Sequence, residues 1–159
     1  MRLTGNTIVV TGGGSGIGRG LAEALHRAGN RVVIAGRRRE LLRDVAEANP
    51  GIEYIQVDLS DPARLESFVE HIIERYRDLN VVVNNAGIMP LEDLSVPDPG
   101  IAQSIVSTNL LAPIMLTSLL LPTLKQNPHA AIINVTSALA FVPKAVLPTY
   151  SATKAGLHS

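Results

Sequence analysis

Apolar positions in this chain fall into two alternating patterns, short β-branched runs and longer stretches with helical spacing. Residues 8–10 read as a buried strand. Beyond a glycine-rich turn, Ile17, Leu21, Ala24, Leu25 and Ala28 recur on one helix face, which Gly29 and Asn30 end. Residues 32–35 form a second strand, and Leu41, Leu42 and Val45 mark a second helix that stops at Asn49, Pro50 and Gly51. A third strand spans 54–57. Asp61 and Pro62 then have the chemistry of a cap and a first-turn proline, ahead of Leu65, Phe68, Val69, Ile72 and Ile73 on one face. Residues 81–83 are a fourth strand, and 88–100, with Pro90, Pro97, Pro99 and Gly100, a surface loop. A long apolar helix follows over 101–125, then a fifth strand over 131–135 and a last helix from about Thr149. Strands alternating with helices predict an α/β class, with βαβ units around a parallel sheet in one domain over 1–159.

Composition narrows the function. Charged residues balance at 14 basic and 14 acidic, which gives no electrostatic ground for a nucleic acid or an anionic membrane as partner. There is no Cys, so disulfide and thiolate chemistry are excluded, and the expected compartment is the cytoplasm. The first residues pass directly into a strand pattern without the features of a signal peptide, and no apolar run reads as a membrane span. His26, His71, His129 and His158 lack metal-ligand spacing, so no metal site is expected.

Three motifs carry chemistry. Thr11 through Gly18 read TGGGSGIG between a strand and a helix, where glycines let backbone N–H groups and the helix dipole meet a pyrophosphate. The spacing of Gly12, Gly16 and Gly18 is G-x-x-x-G-x-G rather than the G-x-G-x-x-G fingerprint; the plainer alternative is a tight packing turn. After the second strand, where an acidic residue would favour NAD, stand Arg37, Arg38 and Arg39. Arginine suits the 2′-phosphate of NADP, although the triplet also reads as a solvated helix start. Tyr150 and Lys154 lie one helical turn apart at the carboxyl-end side of the sheet, where an ammonium beside a phenol suits proton transfer. Singly, Ser137 also reads as a strand-end turn former, Asn109 as a helix residue bonding its own backbone, and Asn84, Asn85, Ala86 and Gly87 as a turn.

Together TGGGSGIG, Asp58–Leu59, NNAG, Asn109, Ser137 and YSATK resemble, in order, the motifs of the short-chain dehydrogenase/reductase family. The gap between Gly12 and Gly16 looks like the compact single-domain branch, and YSATKAGLHS resembles the bacterial DltE-like group. The resemblance implies a Rossmann-type doubly wound sheet and hydride transfer between NADP(H), or NAD(H), and a carbonyl or secondary alcohol. It assigns Tyr150 as general acid/base and Lys154 to easing loss of the phenol proton and holding the nicotinamide ribose. Ser137 would bind the substrate oxygen, and Asn109 a water linking Lys154 to solvent. Gly12, Ser15, Gly16, Ile17 and Gly18 would take the pyrophosphate and adjacent ribose, Asp58 with Leu59 the adenine, and Asn85, Ala86 and Gly87 would border the cofactor. Some NADP-using members have a basic residue where Ser15 stands here.

Relatives continue past the YxxxK helix with two further strands and a substrate-covering segment. Residues 1–159 are therefore expected to hold five of the family's strands, with the fifth an exposed edge and the last helix about two turns long. They are read as part of a longer protein, the alternative being a cofactor-binding fragment or regulatory protein without turnover. Leu139, Phe141, Val142, Val146 and Leu147 either line an apolar substrate pocket or pack against such a segment. A homodimer or tetramer is expected through the helices at 101–125 and 149–159.

Overall fold

The computed structural model describes residues 2–96 and 98–159; Pro97 of the proline-rich loop lies outside them. The described strands are β1 (Thr7–Thr11), β2 (Arg31–Gly36), β3 (Glu53–Gln56), β4 (Leu79–Asn84) and β5 (Ala131–Asn134). They form one parallel sheet in the order β3-β2-β1-β4-β5. All of β1 and β4 is buried, as continuous β-branched runs covered on both faces require. Successive side chains alternate between two cores. Val9, Val33 and Val82 join the layer under α3 (Pro62–Arg75) and α5 (Ala112–Leu124). Ile8, Val10, Ile34 and Val83 join the one under α1 (Gly16–Arg27) and α2 (Arg39–Ala48). Because β1 pairs with β2 on one side and β4 on the other, the chain switches direction there and leaves a crevice at the carboxyl ends of the strands.

Polar pairing also sets the sheet's register. Asn80 Oδ1 accepts the Thr7 N–H at 3.0 Å, while Asn80 Nδ2 donates to Asn6 Oδ1 at 2.9 Å. Asn6 Nδ2 in turn donates to Asn30 Oδ1 at 2.7 Å, so three buried amides join the amino ends of β1, β2 and β4.

The helix expected over 101–125 differs in two respects. It begins at Pro99, where the Asp98 carboxylate accepts from the Gly100 and Ile101 N–H groups, and it is not uniformly α-helical. Between α4 (Pro99–Val106) and α5 lies a π-wound turn, Ser107–Leu111. The joined helix, Pro99–Leu124, has 26 residues, and its most apolar stretch has mean hydropathy 1.7; it is long and apolar enough for a membrane span by length and composition only, a test that a core helix of a folded domain also passes. Its apolarity has a local cause on one side, where Leu116, Leu120 and Leu124 are buried in the core beside β4. Elsewhere β3 and β5 end one residue earlier than expected. The last helix, α6 (Pro148–His158), has 11 residues, about three turns rather than two. As expected for an edge, Ile132 and Ile133 of β5 are exposed.

Candidate active site

The first strand delivers its site through one threonine. Thr11 Oγ1 donates to Val83 O at 3.1 Å and accepts the N–H groups of Asn85 and Ala86, both at 3.0 Å, so one hydroxyl locks the turn after β4 against the end of β1. Gly12 follows with φ +69°, its N–H donating to Ala35 O at 2.7 Å. A Cβ there would lie 2.9 Å from Ala86 Cα, so the position needs glycine for both conformation and space. Ser15 is the extended residue that opens α1, and the helix's first-turn N–H groups have no intrahelical partners. The serine hydroxyl does not cap that turn; it accepts from Arg38 Nη2 at 2.8 Å.

Beyond this turn lies a cleft of about 560 Å³. Of the residues predicted from sequence, it brings together Gly12, Ser15, Arg37, Arg38, Asp58, Leu59, Ala86 and Gly87. Burial opposes ionisation of Asp58. Hydrogen bonds from the Ser60 hydroxyl and N–H and the charges of Arg37 and Arg64 outweigh it, holding the carboxyl below its usual range. Gly16, Ile17 and Gly18 shape the first helical turn rather than line the cleft, and Ile17 is exposed. Asn85 turns away from it, donating from Nδ2 to Thr11 O at 2.9 Å, and so braces the glycine turn. Gly14, Gly36, Ile88, Met89, Pro90 and Thr108 also line the cleft and were not singled out in the sequence. Gly14 lies within the TGGGSGIG motif and Gly36 directly precedes the arginine triplet, but the loop residues had no local pattern to mark them.

At the far end of the cleft, Gly87 meets the chemical groups. A Cβ on Gly87 would lie 3.3 Å from Asn109 Oδ1 and 3.7 Å from Lys154 Nζ. Asn109 is fully buried in the π-wound turn. Instead of bonding its own helix, it accepts the Ile88 N–H at 2.8 Å and donates to Ile88 O at 2.9 Å. A π turn inserts a residue into the helical repeat, which redirects a side chain without breaking the helix. Lys154 is also buried, with Nζ donating to Val135 O at 2.8 Å and lying 5.8 Å from the Tyr150 ring centroid. Desolvation of the ammonium lowers its pKa from the ordinary lysine value. Ser137 stands at the start of the short turn Ala138–Ala140, and its hydroxyl accepts the Leu139 N–H at 3.2 Å. The turn-forming role read from sequence is thus present, on a segment that packs against α6.

Residues 6–159 match the family model described as short chain dehydrogenase. The chain belongs to the short-chain dehydrogenase family. As a member, it is 42% identical over its whole length to the uncharacterized oxidoreductase DltE of Bacillus subtilis (strain 168), of which it covers 64%. A 3-oxoacyl (acyl-carrier-protein) reductase from Agrobacterium tumefaciens C58, solved with NADP bound, superposes with TM-score 0.89 at 27% identity, over 98% of this chain and 62% of that one. A short-chain dehydrogenase from Shigella flexneri 2a str. 301, complexed with NADP, gives TM-score 0.89 at 28% identity, over 96% of this chain and 67% of that one. This short-chain dehydrogenase therefore spans just under two thirds of the length of DltE and of the Agrobacterium reductase.

The cleft fits a dinucleotide on its own geometry. Gly12 turns tightly at φ +69° in its wall beside Gly14 and Ser15, α1 opens next to it directly after Ser15, and arginines flank the second strand's end.

Proposed function

We propose that this chain carries the cofactor site and proton-transfer centre of an NADP(H)-dependent oxidoreductase that interconverts a carbonyl group and a secondary alcohol. The observation that carries the reading is the approach of Lys154 and Asn109 to Gly87, which joins the Tyr150–Lys154 helix to the dinucleotide cleft. Gly12, Ser15 and the first turn of α1 would hold the pyrophosphate. Asp58 and Leu59 would border the adenine, and Ala86 and Gly87 the nicotinamide half. When bound, the nicotinamide supplies or accepts the hydride. Tyr150 gives the proton to the carbonyl oxygen in reduction and takes it back in oxidation. The Lys154 ammonium stabilises negative charge as it develops on the phenol oxygen, and Ser137 donates to the substrate oxygen.

NADP is favoured over NAD by Arg38, whose guanidinium reaches Ser15 across the cleft, and by Arg37 beside Asp58. Nicotinamide fluorescence titration should give tighter binding of NADPH than of NADH. Arg37→Asp should reverse the order by placing a carboxylate against the 2′-phosphate. Equal NADPH to NADH ratios in both proteins would remove Arg37 from the site, and no binding of either dinucleotide would overturn the cofactor reading.

The protein is further proposed to be a homodimer or tetramer through the helices at 101–125 and 149–159. Leu111, Ile114, Leu119 and Leu121 remain exposed on that face, an apolar surface that a second copy would cover. Light scattering at micromolar concentration should give at least twice the chain mass; a monomer would refute the assembly.

A further inference from the structure

The helix that presents Tyr150 has no N-terminal cap of its own. Leu147 stands at the cap position without a side-chain hydrogen bond, and Pro148, next in line, has no N–H. The missing acceptor comes from the loop after β4. Glu92 Oε2 accepts the Thr149 N–H at 3.0 Å, Glu92 Oε1 accepts the Thr149 hydroxyl at 2.6 Å, and the Glu92 N–H donates to Val146 O at 3.1 Å. A carboxylate at this end also complements the helix dipole.

A second tie lies one turn further along, where Asn109 Nδ2 donates to Thr153 Oγ1 at 3.4 Å. Thr149 and Thr153 thus form a stripe on α6, and Tyr150 and Lys154 are the next residue after each. Holding the threonine stripe at both points fixes the rotation and height of the Tyr150–Lys154 stripe beside it. The same two anchors govern the cleft wall. Asn109 grips both backbone groups of Ile88, and only Met89, Pro90 and Leu91 separate Ile88 from Glu92. Ile88, Met89 and Pro90 line the cleft.

We propose that Glu92 is a positioning residue, whose carboxylate locks the cleft-side loop to the first turn of α6 so that Tyr150 meets the substrate in register. The proposal deepens the reading of Tyr150 as proton donor and rests on it for its catalytic consequence. Two readouts on the full chain separate them: hydrogen–deuterium exchange of α6, and turnover at saturating NADPH. Glu92→Ala should speed exchange in 88–94 and 147–154 while leaving β1 and β4 protected. It should lower kcat about tenfold or more and leave the NADPH dissociation constant within about twofold, since a misplacement near 1 Å is enough for such a loss. Glu92→Gln, which retains one acceptor and can donate to the Thr149 hydroxyl, should restore most of both.

Unchanged exchange in 147–154 of Glu92→Ala would overturn the clamp. So would full turnover of Glu92→Ala when Tyr150→Phe is inactive, or a uniform rise in exchange across the sheet that Glu92→Gln shares. If Tyr150→Phe keeps its activity, the proton-donor reading fails by itself, and the local exchange pattern of Glu92→Ala still decides whether Glu92 holds the helix.

Discussion

Tyr150→Phe should abolish turnover, lowering kcat by about 10²–10⁴-fold, the usual contribution of a positioned acid–base group, while NADPH affinity stays close to that of the parent. The substitution removes one hydroxyl. Tyr150 does not line the dinucleotide cleft, and its helix is held by Glu92 and Asn109 through the neighbouring threonines, so the cofactor site should survive. Turnover against a panel of carbonyl substrates, paired with nicotinamide fluorescence on the same samples, checks both halves. Retained turnover would assign the proton to another group. A pH profile adds a second test. Burial depresses the pKa of Lys154, so its ammonium is lost as pH rises at a value below the ordinary lysine range of about 10.4. Turnover should therefore decline on the alkaline side before that range is reached, and a profile flat through it would remove the Lys154 charge from the reaction.

Gly18→Ala should be as damaging to binding as Tyr150→Phe is to chemistry. A Cβ at Gly18 would lie 2.4 Å from the Gly12 carbonyl oxygen and 2.9 Å from its carbon, distances that no side-chain adjustment relieves. Gly12 cannot yield easily, since it is tied to Ala35 and already has positive φ. The strain must displace the first turn of α1 from the glycine turn, at a cost of about 1–3 kcal/mol in stability. NADPH affinity should fall by about 100-fold, equivalent to one or two charge-assisted hydrogen bonds of roughly 1.5–3 kcal/mol each. Gly20→Ala is the matched control, because a Cβ there meets nothing within 4 Å. It should leave binding intact and stabilise the exposed helix by up to about 1 kcal/mol. Thermal melts with and without NADPH distinguish the two, and equal behaviour would show that Gly18 is not a packing constraint.

Much of this was legible in the sequence because the signals are local. β-branched runs such as Val81–Val83 specify buried strands, and the i, i+4 spacing of Tyr150 and Lys154 places them on one face of any helix that contains them. The glycine turn was legible because it lies between a strand and a helix, where few other functions need it. Other residues took roles that their neighbours in sequence do not encode. Asn85 belongs to a recognised motif, yet its amide turns back to brace Thr11 and Gly12. The inward turn of Asn109 depends on a π-wound segment that apolar periodicity does not reveal, because an inserted residue leaves the pattern on either side intact.

The chain's own pattern of side chains thus determined the α/β class, the order of elements along the sequence, the glycine turn and the spacing of Tyr150 and Lys154. Which elements became neighbours was decided only by the tertiary fold. Packing brought the loop after β4 against a helix that begins more than fifty residues later, making Glu92 the cap of α6 and Gly87 the meeting point of the cleft and the helix of Tyr150 and Lys154. The reason is physical: helix and strand periodicity follow from local backbone geometry, whereas a buried polar group takes whichever partner the packed chain brings within hydrogen-bonding distance.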